Sequence, residues 1–196
     1  MTLLTLRTTV RDILNEATAS FWSDAKINEA LNEAQRVTAI LAKCIEKTAA
    51  VNTATGVRSV SFADAHIEDI EYNGKALTRI KPKQIGTMPE TSGDLGHYFE
   101  FDKKAMIEPI PGAIVSLVLY TIGEPTEMSA DGNSPSTPSC YDLALIYYAV
   151  AYCWLLEKNY AGYGFMLALY HDEVATVTSI AMSKVVDTYS DIKGEK

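Results

Sequence analysis

The stretch INEALNEAQRVTAILAKCIEKT, residues 27–48, decides the helical part of the fold. Its seam residues are separated alternately by four and three positions: Ile27, Leu31, Ala34, Thr38, Leu41, Ile45 and Thr48. This spacing is a heptad repeat, which places an apolar stripe along one side of a helix. Further apolar residues beside the seam widen that stripe, as in helices that pack on a core. We therefore predict a long helix within a bundle rather than a free coiled coil.

The residues just before this helix mark its start. Phe21 and Trp22 precede Ser23 and Asp24. Either polar side chain can accept hydrogen bonds from the free amides of a first helical turn. Four residues are assigned to the core and cap of this helix: Trp22, Asp24, Ile27 and Leu31. A shorter helix is predicted upstream, at about 2–17, because apolar residues recur there at spacings of three and four.

Between residues 52 and 122 the apolar period changes from that of a helix to that of strands. Asn73-Gly74 lies between two short β-prone runs, and Asp102-Lys103 lies between two more. Asn-Gly in this setting is the strongest short-range signal of a hairpin. The run 113–122 is rich in Val, Leu and Tyr on both faces, which predicts a central strand.

After the β block, a segment rich in proline and glycine returns the chain to helix. Two further helices are predicted, at about 140–158 and 163–186, and the first of them is apolar nearly all round. The last ten residues are polar and are predicted to be extended.

These patterns predict an α+β fold that is mainly an α-helical bundle of about four helices with an inserted small antiparallel β domain. The bundle is assigned to 1–51 and 139–186, and the β insertion to 52–122. Residues 123–138 are interpreted as a linker, and 187–196 as an extended C-terminal tail.

The composition restricts the possible functions. The 196-residue chain carries 17 Lys and Arg against 25 Asp and Glu, so its formal net charge is −8. Such a chain is a poor sequence-independent DNA binder, because cations supply that kind of affinity. The apolar run from Leu143 to Leu156 falls short of the roughly 20 residues that cross a bilayer, so we predict a core helix and no membrane partner. Cys44, Cys140 and Cys153 form no CxxC motif and are interpreted as free thiols.

No catalytic, cofactor-binding or metal-binding motif is found. His66, His97 and His171 lie in three different predicted elements, without ligand spacing to one another. The chain has no phosphate-binding glycine loop and no nucleophile elbow. Aromatic residues crowd into 141–170, but few cations lie among them, so packing explains them better than stacking on a nucleic acid.

The order of these parts resembles the head-to-tail adaptor (connector) proteins of tailed bacteriophages, over roughly Leu3 to Met182. The most specific part is Phe-Trp-Ser-Asp at 21–24, with its Ile-Asn and Asn-Glu-Ala-Gln-Arg continuation. Supporting segments follow in the same order: Ile70 to Leu77, the Tyr-Phe-Glu-Phe strand at 98–101, Glu108 to Pro111, Glu124-Pro125, and Pro138 with the helix from Tyr141.

The resemblance implies a structural virion protein at the head-tail junction, made in the host bacterial cytoplasm and without enzymatic activity or cofactor. It implies a ring, usually twelvefold, that binds the portal protein on one side and a downstream tail or nozzle protein on the other. The ring would use the exposed sides of helices one, two and four, with DNA present only as cargo in the channel. The C-terminal segment would reach into the portal through these residues: Val185, Val186, Asp187, Thr188, Tyr189, Ser190, Asp191, Ile192 and Lys193.

Two alternatives remain open. The first is a soluble helical interaction module or assembly chaperone without catalytic activity, which would bind a partner helix through the heptad seam. The second is a small enzyme whose best carboxylates would be Glu68, Asp69 and Glu71; such a site predicts a pocket with perturbed titratable groups. The adaptor interpretation instead predicts lateral surfaces of heterologous type that can close a ring.

Overall fold

The computed structural model describes residues 1–16, 21–87 and 95–193, with side chains described in these ranges except at 85–87 and 181–193. The described residues form four α-helices and two sheets of four strands each, with 43% of the chain helical and 23% in strands. The fold is therefore mixed α+β. Our prediction that it is mainly a helical bundle is wrong, because the strands form two sheets with a core of their own.

The elements alternate in long blocks along the chain. The helices are α1 (Leu3–Ile13), α2 (Asp24–Ala42), α3 (Asp142–Leu156) and α4 (Tyr160–Lys193). The strands are β1 (Glu46–Asn52), β2 (Ser59–Ser61), β3 (His66–Tyr72), β4 (Lys75–Ala76), β5 (Thr78–Arg79), β6 (His97–Phe101), β7 (Lys104–Glu108) and β8 (Ser116–Ile122). The chain divides into a helical unit, Met1–Cys44 with Pro125–Lys196, and a β unit, Ile45–Glu124.

The seam of α2 is shorter than its spacing predicts. The helix ends at Ala42, where Lys43 takes a left-handed conformation with φ 50°. Ile45 and Thr48 therefore lie outside it, and Thr48 is part of β1, paired with Tyr120 of β8. Strand pairing over seven residues outweighs a helical period that continues by chance into residues 45–48.

The helical unit is held together by a core shared among its helices. α1 contributes Leu3, Leu6 and Val10, and α2 contributes Ile27, Ala30, Leu31 and Ala34. α3 supplies the largest share, because most of its sides are covered. The window Ser139–Leu156 is long and apolar enough to cross a membrane by length and composition alone, and half of it is buried inside the structure.

Residues 125–138, most of the segment 123–138 that we interpreted as a linker, pack on the first two helices; we call them the strap. Asn32 donates to the Met128 carbonyl over 3.1 Å and accepts from the Met128 amide over 2.8 Å. Gln35, 1% exposed, bonds the strap at both Thr126 and Ser136. The strap therefore supplies hydrogen-bond partners for the buried Gln35 and the half-buried Asn32 of α2.

The strap also accepts hydrogen bonds from the first turn of α1. The Leu3 and Leu4 amides, two of the free donors of its first turn, bond the carbonyls of Asn133 and Asp131 over 2.7 and 3.1 Å. The Arg7 guanidinium bonds the Asp131 carboxylate over 2.9 Å. These contacts join residues more than a hundred positions apart, which is why local sequence patterns did not reveal them.

The β unit consists of two sheets with strand orders β1-β8-β3-β4 and β2-β7-β6-β5. Both sheets contribute to one core, with Ile67, Ile70, Leu117 and Leu119 from the first and Tyr98, Ala105 and Ile107 from the second. The predicted central strand is β8, between β1 and β3. The unit is not wholly antiparallel, since β5 and β6 pair in parallel.

Both predicted hairpins are present. Asn73 and Gly74 join β3 to β4 with positive φ at both residues, 51° and 74°. Asp102 and Lys103 join β6 to β7 in the same way, with φ of 52° and 54°. Two successive residues of positive φ make the turn whose twist matches that of the strands.

The last helix is longer than predicted. α4 was expected at about 163–186 and runs Tyr160–Lys193. Residues 187–193, predicted to be extended, are therefore helical. Residues 194–196 of that predicted tail lie outside the described part of the chain.

Candidate interaction surfaces

Two of the carboxylates weighed as enzyme candidates, Asp69 and Glu71, and one of the three histidines, His66, have polar partners within the β unit. The Glu71 carboxylate accepts from the Tyr120 hydroxyl over 3.0 Å, and Asp69 accepts from the Ile70 amide over 2.8 Å. His66 lies 2.7 Å from the Glu100 carboxylate. Within residues 1–16, 21–87 and 95–193 no group of three His, Cys, Asp or Glu could hold a metal ion.

The segment Phe21 to Asp24 forms the junction between α1 and α2, in which Trp22 is buried. The Arg11 guanidinium, with only 8% of its side chain exposed, donates to the Trp22 carbonyl over 2.7 Å and to the Asp24 carboxylate over 2.6 Å. Ser23 is the N-cap of α2 and accepts from the Lys26 amide over 3.3 Å. Of the two predicted caps, Ser23 takes the cap position, and Asp24 binds the arginine.

Trp22 joins this junction to the end of α3. Its indole N–H donates to the Glu157 carboxylate over 3.1 Å, and its ring belongs to the core. Glu16 accepts from the amides of both Phe21 and Trp22. The motif therefore fixes how three helices meet, and Ile27 and Leu31, both fully buried, pack below it.

Phe21 is the part of this motif that faces solvent. Its ring is 71% exposed and stands edge-on to Trp22, with centroids 5.0 Å apart. A large aromatic ring held against a buried partner gains contact area at a small entropic cost when another protein covers it. Phe21 is therefore a candidate contact residue.

A second candidate surface lies where α3 turns into α4; we call it the turn patch. Its four apolar side chains are 38–67% exposed: Leu155, Leu156, Tyr160 and Phe165. The turn is tight because Gly162 packs on the Trp154 ring, where an added Cβ would lie 2.5 Å from a ring carbon. Clusters of exposed apolar side chains on a rigid support mark protein-protein contacts.

The three cysteines are free thiols in different settings. Burial raises the pKa of the Cys153 thiol to about 12 and that of Cys44 to about 11. Cys140 is exposed, at the turn that precedes α3. The buried Cys153 and the half-buried Cys44 are therefore packing residues rather than nucleophiles.

The final surface is the end of α4. The Tyr141 hydroxyl, at the start of α3, lies 3.2 Å from the Thr178 hydroxyl of α4. From there α4 continues for 15 residues to Lys193, about 22 Å at 1.5 Å per residue. The predicted portal-binding residues Val185 to Lys193 all belong to this helical end.

One known family accounts for nearly the whole chain. The family model described as SU10 adaptor protein matches residues 1–187, which includes both units. The match ends within α4, so Thr188 to Lys193 lie beyond it. No curated protein matches the chain.

Proposed function

Because the chain belongs to the SU10 adaptor protein family, it is a bacteriophage adaptor protein of the head-tail junction, and we propose that it forms an oligomeric ring between the portal and the tail. The family match over residues 1–187 is the observation that carries this proposal. The ring has about twelve copies, assembled in the host bacterial cytoplasm and retained in the virion. It acts by binding alone, without catalysis or a cofactor.

The lateral contacts of the proposed ring are of heterologous type, because a ring closes when one surface of each copy meets a different surface of the next. The turn patch and the exposed Phe21 ring supply apolar area for two such surfaces. DNA passes through the ring as cargo. The net charge of −8 supports this role, because an acidic wall repels phosphates and does not hold the genome.

The portal contact is assigned to the end of α4, residues Val185 to Lys193. Met182, Val185, Tyr189 and Ile192 are spaced by three, four and three residues, which in a helix repeats on successive turns. A helix with such a repeat binds its partner by lying in an apolar groove. The proposed segment therefore docks as a helix rather than as an extended tail.

The test is native mass spectrometry of the chain with the portal protein of the same genome. A defined assembly of about one adaptor per portal subunit supports the proposed function. Removing Val186 to Lys196 should abolish that assembly while circular dichroism shows an intact fold. A truncated chain that docks with unchanged affinity refutes the assignment of the tail.

A matched pair of substitutions tests the helical mode of docking. Tyr189→Asp places a charge within the apolar repeat, and Ser190→Asp places the same charge on the next residue, outside it. We expect Tyr189→Asp to weaken portal binding at least tenfold more than Ser190→Asp. Equal losses would mean that the segment does not dock through this repeat.

The alternative function, a soluble helical interaction module or assembly chaperone, predicts a different outcome. Such a chain would remain a compact monomer or a small oligomer with no association with the portal. That result would direct the search to another partner.

A further inference from the structure

The four edges of the two sheets in the β unit differ in how they are protected. Exposed edge strands tend to pair with other chains unless they are short, charged or bulged. β2, β4 and β5 are edge strands of only three, two and two residues. β3, which β4 covers only at its end, carries Glu68 and Asp69 and a break in register between Ile67 and Asp69.

β1 has charged residues only at its first two positions, Glu46 and Lys47, and has none of the other protections. It pairs with β8 in unbroken register over seven residues and has no bulge or proline. Its residues from Thr48 to Asn52 carry no charge, and Thr48, Ala50 and Asn52 are exposed. Among the described residues no strand pairs with its outer side. β1 is thus a long, regular edge with free pairing capacity.

The hydrogen bonds that flank the ladder show which residues face outward. The Gly123 amide donates to the Ile45 carbonyl over 2.8 Å, and the Thr53 amide donates to the Val115 carbonyl over 2.9 Å. In an antiparallel pair, residues with such bonds alternate with residues whose backbone groups point away. Odd-numbered residues of β1 therefore bond β8, and the N–H and C=O groups of Thr48 and Ala50 point outward.

We propose that the outer edge of β1 pairs antiparallel with β1 of a second copy of this chain, which joins two four-stranded sheets into one of eight strands. The length of the edge favours this partner, because the short edge strands β2, β4 and β5 offer at most three residues. The part of β3 that β4 leaves uncovered carries Glu68, Asp69 and a break in register. This contact goes beyond the proposed ring. A two-fold contact closes after two copies, so it cannot serve as the head-to-tail contact of that ring.

The charges of β1 favour one register. With Ala50 opposite Ala50, Thr48 lies opposite Asn52 and Ala49 opposite Val51, so no charged residue lies within the paired stretch. A register that places Lys47 opposite Lys47 brings two like charges together. Val51 already packs against the core of the β unit, and pairing beside it extends that apolar layer.

The first test is sedimentation equilibrium of the full chain without portal. We expect a dimer at micromolar concentration. Ala50→Pro removes an outward N–H and leaves the bonds to β8 in place, because proline is tolerated at such edge positions. It should weaken dimerisation at least tenfold. Ala50→Val keeps the N–H and serves as the matched control, which should dimerise like the wild type.

Folding and register are checked separately. The Ala50→Pro variant should melt within a few degrees of the wild type. A similar melting temperature shows that weaker dimerisation is not caused by unfolding of the chain. In a Cys140→Ser background, Ala50→Cys should form a disulfide between the two copies under mild oxidation, since hydrogen-bonded partners lie about 5.5 Å apart at Cα. Peptide mapping identifies position 50 in both chains.

Three outcomes overturn the proposal. A wild-type chain that stays monomeric up to about 100 micromolar has no such pairing. An association that Ala50→Pro leaves intact uses another surface. An association that Ala50→Pro abolishes, but that gives no disulfide at position 50, pairs β1 with a different strand. Since none of these experiments includes the portal, their failure leaves the proposed portal docking untouched.

Discussion

Arg11 shows how much of the helical unit depends on one side chain. Its buried guanidinium joins the Trp22 carbonyl, the Asp24 carboxylate and, over 3.4 Å, the Glu16 carboxylate. Arg11→Ala should lower the free energy of unfolding by about 2 kcal/mol, because it leaves a buried carbonyl and a charged group without their donor. Urea denaturation followed by circular dichroism measures the change.

An exposed arginine is the control for this prediction. Arg36 pairs with Glu33 on the surface of α2, where 56% of its side chain is exposed. Exposed pairs of this kind contribute little, so Arg36→Ala should change stability by no more than about 0.5 kcal/mol. If the two variants lost the same stability, the Arg11 contacts would have no special role.

The thiols give a second prediction at this scale. Iodoacetamide at pH 8 should label Cys140 first, and Cys44 and Cys153 at least about tenfold more slowly, because burial raises the pKa of both and limits access. Mass spectrometry of digested peptides assigns the sites. Labelling in urea should make the three rates alike. Fast labelling of Cys153 in the folded chain would contradict its buried position.

Residue spacing predicted some of the buried side chains of the helical unit and missed others. The helical period of α2 pointed to Ile27 and Leu31, which are fully buried. It gave no sign of Arg7 and Arg11, which are also buried, because an arginine between apolar residues ordinarily faces solvent. Their position depends on partners such as Asp131, which tertiary structure alone brings close.

At the scale of elements, local turn chemistry was the most informative signal. Asn73-Gly74 and Asp102-Lys103 predicted both hairpins, because the turn itself sets the pairing of adjacent strands. The seven-residue pairing of β1 with β8 joins strands far apart in sequence, and no local pattern specifies it. For that reason the helical seam was predicted to continue to Thr48, although α2 ends at Ala42.

The link between β1 and the loop before β3 gives a pH prediction. The Thr121 hydroxyl donates to Asp64 over 2.6 Å, and this bond, assisted by Lys47, holds the pKa of the Asp64 carboxyl below its ordinary value. A lowered pKa stabilises the fold above the unfolded value of about 4 and loses that contribution as pH falls through the folded pKa. The β unit should therefore lose stability below about pH 4.

Guanidinium denaturation between pH 7 and pH 2 measures this dependence. Asp64→Asn should lower stability at pH 7 and make the curve flatter below pH 4, since the titrating group is gone. Lys75→Gln, at an exposed site in β4, is the control and should leave the acid limb unchanged. An Asp64→Asn curve parallel to that of the wild type would remove Asp64 as the cause.

At the scale of the whole molecule, the β unit has the properties of an autonomous insertion. Its ends meet, since the Gly123 amide bonds the Ile45 carbonyl over 2.8 Å, and its two sheets share one core. The isolated fragment Ile45–Glu124 should therefore fold and melt cooperatively, as calorimetry would show. Ile70→Asp, which buries an unpaired charge in that core, gives the unfolded reference.

The overall architecture was predicted only in outline. Helical and strand periods separated the two kinds of structure along the chain, and the order of motifs pointed to the family that matches residues 1–187. They did not show that the strands divide into two sheets, because that division depends on pairings between distant strands. The prediction that the fold is mainly a helical bundle therefore underestimated the β structure.

The strap sets the order in which this protein can finish folding on the ribosome. Every strand of the β unit lies between residues 46 and 122, so that unit can be complete while the last third of the chain is still being translated. The first two helices leave the exit tunnel before the β unit and the strap, and the amides of Leu3 and Leu4 find their acceptors only when residues 131–133 emerge. The apolar faces of α1 and α2 stay uncovered until α3, which follows the strap and shares their core, has also been made. Exposed apolar surface of this kind makes a nascent chain prone to aggregation.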